Sequence, residues 1–287
     1  MSAFLLRRGL ITRGFCRLLQ LMGIKQLQVY QGFEQGPIRP PSEANSLLLR
    51  VTRNCPWNRC TFCSVYKDEQ FSLRPAEHVI ADIDQVFEAT SVVLSELNER
   101  GQLTQEVIHG LATKYFADNL QVFSIAVNWL AQGEGSVFLQ DANSLIIKPD
   151  HLIPILKHLN YRFPWVSRVT SYARSHTINR IQEAKLSELA EAGLNRIHIG
   201  MESGCDAVLA SVDKGVTKEH HISAGQAVKK AGIELSEYVM PGLGGKDLSS
   251  EHAYHTADAL NQIDADFIRL RTLAIPPNIP LYESYQS

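Results

Sequence analysis

The chain has 287 residues, 45% of them apolar and 20% charged, a balance that excludes disorder and allows one large α/β domain with a sizeable core. Its formal charge of −2 gives no global attraction for DNA, and no apolar run reaches the roughly 18–20 residues of a membrane span, so no stable membrane insertion is expected. Five cysteines, three of them clustered, suit a reducing, cytoplasmic setting better than a disulfide framework.

Residues 1–44 read as a basic N-terminal extension. Arg7, Arg8, Arg13, Arg17 and Lys25 all precede the first acidic residue, Glu34, which fits a targeting or membrane-surface helix or a plain amphipathic extension. From 45 to 287, short β-branched runs alternate with helix-period segments. The strands are expected at Ser46–Val51, Ser136–Gln140, Val166–Tyr172, Arg196–Gly200, Glu234–Val239 and Asp266–Thr272. Helices are expected from Asp150 to Leu159 after Pro149, from Thr177 to Ala192 before Gly193, and from Thr217 to Ala231 before Gly232. The stretch from about 75 to 132 exceeds one crossover. Val79, Ile83, Val86, Val93 and Leu97 mark one stripe and Val107 to Trp129 a second, which predicts a helical hairpin inserted between the first two strands.

Strand-then-helix repeated six times argues for parallel strands with right-handed crossovers, whose carboxyl ends share one ligand-binding face. Polar or glycine-rich groups follow every strand. The first is followed by Asn54 and CPWNRCTFC, which places Cys55, Cys60 and Cys63 at C-x4-C-x2-C. The second is followed by Asp141 and Asn143, the third by Arg174, the fourth by Glu202 in GMESG, and the fifth by Met240, Pro241 and Gly242 in MPGLGG; the sixth carries Arg269 and Arg271. Three thiolates with no fourth nearby leave a coordination position open. They suit an iron–sulfur cluster with one accessible iron.

CPWNRCTFC, GMESG and MPGLGG at these intervals resemble the radical S-adenosylmethionine (SAM) enzymes over roughly residues 45–282. The branch that looks nearest holds oxygen-independent coproporphyrinogen oxidase and the methylthiotransferase and elongator-type cores. The resemblance implies a partial (β/α)6 TIM-like barrel. It also implies a [4Fe-4S] cluster on Cys55, Cys60 and Cys63, SAM on the open iron, and reductive cleavage to methionine and a 5′-deoxyadenosyl radical that takes hydrogen from a substrate. An external electron donor such as flavodoxin or ferredoxin follows from that chemistry; the substrate and the catalytic side chains stay unassigned. By resemblance Phe62 shields the cluster beside the adenine, Asp141 meets the SAM amino group, Arg174 its carboxylate and Glu202 the ribose, while the Met240, Pro241 and Gly242 backbone reads the adenine edge.

The usual family spacing is C-x3-C-x2-C, so one residue is extra here, and where the porphyrin enzymes have a further cysteine this chain has Val65. Two rivals follow. One is a ferredoxin-like [2Fe-2S] electron carrier with Cys205 or Cys16 as fourth ligand, since C-x4-C-x2-C is also plant-type spacing. The other is a structural zinc module completed by His198 or His78.

Overall fold

A computed structural model describes residues 29–133 and 135–286. The basic residues from Arg7 to Lys25, and Cys16, lie outside the described residues. Two compact units divide at Gly32 and Phe33, and everything below concerns the unit from Phe33 onward.

Six parallel strands form one sheet: β1 (Leu47–Arg50), β4 (Ser136–Gln140), β5 (Arg168–Ala173), β6 (Arg196–Glu202), β7 (Glu234–Val239) and β8 (Phe267–Leu270). They lie in the order β1-β4-β5-β6-β7-β8, each pairing with the next strand along the chain. Among the described residues β8 does not pair with β1, so the barrel is open along one seam. This is the expected partial (β/α)6 barrel. A small antiparallel pair, β2 (Thr52–Arg53) with β3 (Ser72–Leu73), escaped the sequence reading because two residues carry no readable alternation.

The helical stretch between β1 and β4 departs from the expected hairpin. It holds three helices, α1 (Ala76–Arg100), α2 (Gln105–Tyr115) and α3 (Leu120–Gln132). Asn119, at φ −144° and ψ 48°, breaks the second apolar stripe. Val79, Ile83 and Val86 of α1 and Val122, Phe123 and Ala126 of α3 are buried in one core with Leu47, Leu49, Val137 and Leu139 of the sheet. At about 25 cal/mol per Å2 such burial dominates the stability of the layer. The Trp129 indole packs edge-on against Phe163 at 5.0 Å and donates to the Ser136 carbonyl at 2.9 Å.

Helix α4 (Pro149–Arg162) follows β4 with proline in its first turn, as expected. The single helix expected from Thr177 to Ala192 is instead α5 (Ser175–Ile178) and α6 (Glu183–Glu191), because residues 179–182 turn out of the helix and Gln182 is extended at ψ 142°. After β6 come α7 (Asp206–Ser211) and α8 (Lys218–Lys230), the latter capped by the Thr217 hydroxyl, which accepts from the His220 amide at 3.3 Å. Helix α9 (Ser249–Ile263) precedes β8, and α10 (Pro280–Gln286) follows it.

Two charged features of this core bear on stability. At the amino ends of the strands the buried Glu43 carboxylate accepts from Ser46 at 2.6 Å, with Arg168 at 3.5 Å and His198 at 3.7 Å. On β7, Glu237 is fully buried, and neither carboxylate oxygen has a hydrogen-bond partner among the described residues. Burial pushes its pKa well above the ordinary 4.5, with the Lys214 charge opposing. The folded protein therefore retains this proton to higher pH than the unfolded chain, so stability is complete below pH 4.5 and falls as pH rises toward the folded pKa. Urea midpoints compared at pH 5 and pH 8 are expected to drop toward pH 8, and Glu237→Gln is expected to flatten that slope; an unchanged slope would refute the assignment.

Candidate functional site at the carboxyl ends of the strands

All six strand carboxyl ends share one face, and the cysteine loop, residues 54–71, lies over it. The β2–β3 pair clamps the neck of this loop with Arg53 opposite Ser72. Glu34 locks the clamp from outside, accepting from Arg53 at 2.8 and 2.5 Å, with Arg74 at 3.3 Å and Arg50 at 3.8 Å. The Arg53 hydrogen bond, outweighing burial, lowers the Glu34 pKa below its ordinary value. Residues 33–38, grouped by the sequence reading with the N-terminal extension, thus touch the site. The Gln140 side chain grips Gly36 as a strand would, accepting from its amide at 2.8 Å and donating to its carbonyl at 3.1 Å. A Cβ at Gly36 would stand 2.7 Å from an Asp141 carboxylate oxygen, so only glycine fits.

Asp141, just past β4, is fully buried. Its carboxylate accepts from Arg50 Nε at 2.7 Å, the Asn54 amide at 3.3 Å and the Tyr66 hydroxyl at 2.8 Å. Burial, reinforced by the Asp141 charge, pushes the Tyr66 pKa far above its ordinary value, so the phenol stays a donor. The resemblance sets Asp141 at the SAM amino group; in the structure its carboxylate also joins the sheet to both ends of the loop.

Within the loop, Cys60 is buried and Cys55 and Cys63 are half-buried. The Asn58 amide donates to Cys55 Sγ at 3.4 Å, and Lys67 Nζ donates to the carbonyls of Asn58 at 3.1 Å and Cys60 at 3.0 Å. Burial above all raises the Cys63 pKa, against the opposing hydrogen bond from the Val65 backbone, with smaller contributions from the charges of Cys60 and Cys55 and, opposing, Lys67. Sulfur ligands gathered on one loop suit a cationic iron–sulfur core, and amide donors to sulfur are one means by which proteins set cluster potentials. Among the described residues no three His, Cys, Asp or Glu side chains converge tightly enough to hold a single metal ion. His198 lies among the barrel rings and His78 in the first turn of α1.

Tertiary contacts dock the loop on the segment after β6. The Trp57 indole donates to the Asp213 carbonyl at 2.7 Å, and the Thr61 amide to the Val212 carbonyl at 3.1 Å. Trp57 also lies flat on Gly215, where a Cβ would come within 2.2 Å of the ring and φ is +72°. Arg174 covers the same indole at 5.2 Å and donates to the Lys214 carbonyl at 2.5 Å. Lys214 donates to Glu202 at 3.1 Å and stands 5.6 Å from the centre of the Phe62 ring. Glu202 itself sits at φ 65°, at a register shift in β6, and its carbonyl accepts from the Met240 amide at 2.9 Å. Pro241 accepts from the Leu273 amide at 3.0 Å, and Gly242 turns at φ 92°.

Arg174 and Glu202 are thus tied to Trp57 of the loop or to Lys214, Phe62 of the loop lies beside Lys214, and Met240 is bonded to Glu202. Cys205, the rival fourth ligand, is packed in a small apolar cluster with Val208, Val212 and Leu243, against which Phe62 and Met240 rest. The sequence reading missed Tyr66, Lys67 and Glu34. Their partners lie far along the chain or in the loop's own fold, and no spacing announces them.

A sequence model of the radical SAM superfamily matches residues 135–257. An uncharacterised methyltransferase of Pyrococcus horikoshii is 27% identical over 115 residues, which is 39% of this chain and 24% of that protein. A tRNA uridine(34) acetyltransferase of Methanocaldococcus jannaschii is 23% identical over 105 residues, or 36% of this chain and 19% of the relative. The matched segments are a minor part of either relative's length. Among solved structures, the radical SAM methyltransferase TsrM from Kitasatospora setae, with cobalamin and a [4Fe-4S] cluster bound, superposes with a TM-score of 0.53 at 15% identity, covering 82% of this chain and 38% of that one. Coproporphyrinogen III oxidase (HemN) from Escherichia coli, a radical SAM enzyme, gives a TM-score of 0.54 at 12% identity, covering 83% of this chain and 46% of that one. At such identities the likeness establishes the fold.

Proposed function

We propose, from the premise that this chain belongs to the radical SAM superfamily of enzymes, which use a [4Fe-4S] cluster and SAM, that Cys55, Cys60 and Cys63 hold its cluster over the carboxyl ends of the strands. The observation that carries the reading is the docking of the three-cysteine loop on the segments after β4 and β6. A cluster with one open iron supplies, when bound and reduced, the single electron that splits SAM into methionine and a 5′-deoxyadenosyl radical, which takes hydrogen from a substrate. The chain's own residues position and shield. Trp57 and Phe62 cover the loop's flank and limit water, and Lys67 holds its carbonyls.

In this reading Glu202, held by Lys214, faces the ribose hydroxyls, and the turn at Met240, Pro241 and Gly242 presents backbone groups to the adenine. Arg174, stacked on Trp57, has donors left for the SAM carboxylate. Asp141 holds the loop through Arg50, Asn54 and Tyr66, and its Oδ1, which accepts only from the Tyr66 hydroxyl, keeps acceptor capacity for the SAM amino group. The electron comes from an external low-potential donor of the flavodoxin or ferredoxin class. Protein reconstituted anaerobically with iron and sulfide, then reduced with SAM present, is expected to release 5′-deoxyadenosine and methionine in equal amounts. An intact cluster that neither binds nor cleaves SAM would sink the proposal.

A further inference from the structure

Inside the barrel, rings from four neighbouring strands form one layer. Phe138 of β4 meets Tyr172 of β5 at 5.3 Å, and Tyr172 lies 5.6 Å from His198 of β6 and 6.2 Å from Tyr238 of β7. Two polar atoms of this interior have no hydrogen-bond partner among the described residues, Thr170 Oγ1 and His198 Nδ1, while His198 Nε2 faces the Glu43 carboxylate at 3.7 Å. Thr170 and His198 are fully buried. A buried polar atom left unpaired costs about 1–3 kcal/mol, so such a group calls for a ligand or a water.

On β8, at the open seam, Arg269 and the residue after the strand, Arg271, alternate onto one face. That face is the interior. Arg269 Nε donates to the buried Ser236 hydroxyl at 3.0 Å. The Arg269 charge also reaches His198 and Tyr238, and the Arg271 charge reaches Tyr172 and Tyr238; in each case burial is the larger influence on the ring's pKa. The remaining strand arginines all face carboxylates: Arg50 and Arg53 meet Glu34, Arg168 meets Glu43 and Arg196 meets Glu234. Among the described residues Arg269 and Arg271 form no ion pair. The result is two guanidinium groups outside any ion pair among the described residues, beside aromatic rings that the Glu43 and Glu202 charges also reach, at the strand ends where the cysteine loop lies. Guanidinium forks suit carboxylate and phosphate oxygens.

We infer that the substrate of this site is an anion, an organic acid or phosphate ester whose charged group is held by Arg269 and Arg271 and whose body rests on the half-buried rings of Tyr172 and Tyr238. The inference rests on the radical SAM reading of the same strand ends.

The test uses the reconstituted holoprotein and small probes followed by NMR line broadening: 4-fluorobenzoate for a carboxylate, inorganic phosphate for a phosphate, and 4-fluorobenzamide as the neutral match. At least one anion is expected to bind while the amide does not, the better anion naming the acid group. Arg271→Gln, at an exposed side chain, and the double variant Arg269→Gln/Arg271→Gln are each expected to weaken that binding about tenfold or more, the loss of a hydrogen bond to a charged group. Three results would overturn the inference: no anion binds the unaltered protein, the amide binds equally well, or both variants bind as the unaltered protein does. So would an equal loss of L-methionine binding, because the arginines would then serve the SAM carboxylate. Release of 5′-deoxyadenosine is measured on the same unaltered sample. Failed anion binding with SAM cleavage intact defeats this inference alone; anion binding without SAM cleavage defeats the enzyme reading.

Discussion

Alanine at Cys60 is expected to strip the reconstituted chain from about four iron atoms to nearly none. It should also lower 5′-deoxyadenosine formation by at least about a thousandfold, or about 4 kcal/mol of barrier. Cys55→Ala and Cys63→Ala should behave alike, because each removes one of only three thiolates on the loop. Cys205→Ala provides the contrast. Its thiol is 5% exposed and packed among Val208, Val212 and Leu243, so the substitution should cost about 1 kcal/mol of stability and leave the iron in place. Iron and sulfide analysis with product chromatography decides between the readings. Iron retained without Cys60 and lost without Cys205 would restore the ferredoxin-like alternative.

The second large effect is expected at Asp141. Alanine there leaves the Arg50 guanidinium and the Tyr66 hydroxyl without the acceptor that now lies 2.7 and 2.8 Å from them. Removing one partner of a buried ion pair costs about 3–5 kcal/mol, which at this chain length lowers Tm by about 10 °C. The loop is affected as well, because Asn54 at its start and Tyr66 near its end both hang on this carboxylate. Iron uptake on reconstitution should therefore fall, by about tenfold on the scale of groups that orient metal ligands. Asp141→Asn keeps an acceptor oxygen and the shape, and should lie between. An Asp141→Ala protein that melts within about 2 °C of the unaltered one and takes up full iron would show that the strut is dispensable.

The strands at 136–140 and 234–239 were legible to the residue, since a buried parallel strand is a short run of apolar and β-branched side chains bounded by turns. Helix periodicity was legible too, but interruptions were not. A stripe such as Val107 to Trp129 keeps its spacing across a turn, because the turn at residues 116–119 returns the chain near the same phase. The site divides in the same way. Cys55, Cys60 and Cys63 announce themselves by spacing and Glu202 by its position after a strand, whereas Phe62 is singled out only by the family resemblance. The engagement of Asp141 was invisible, because its partner Tyr66 is 75 residues away and an aspartate after a strand looks the same whether its oxygens are free or bonded.

By itself, then, the amino-acid order determined the six strands of the main sheet, their parallel architecture and the spacing of the three clustered cysteines, since each is written in local pattern or spacing. Only the tertiary structure decided that Glu34 locks the loop's neck, that Asp141 is a strut and that Arg269 faces the barrel interior. Those facts depend on pairings between residues far apart in the chain, which chain closure and packing select and no local pattern encodes.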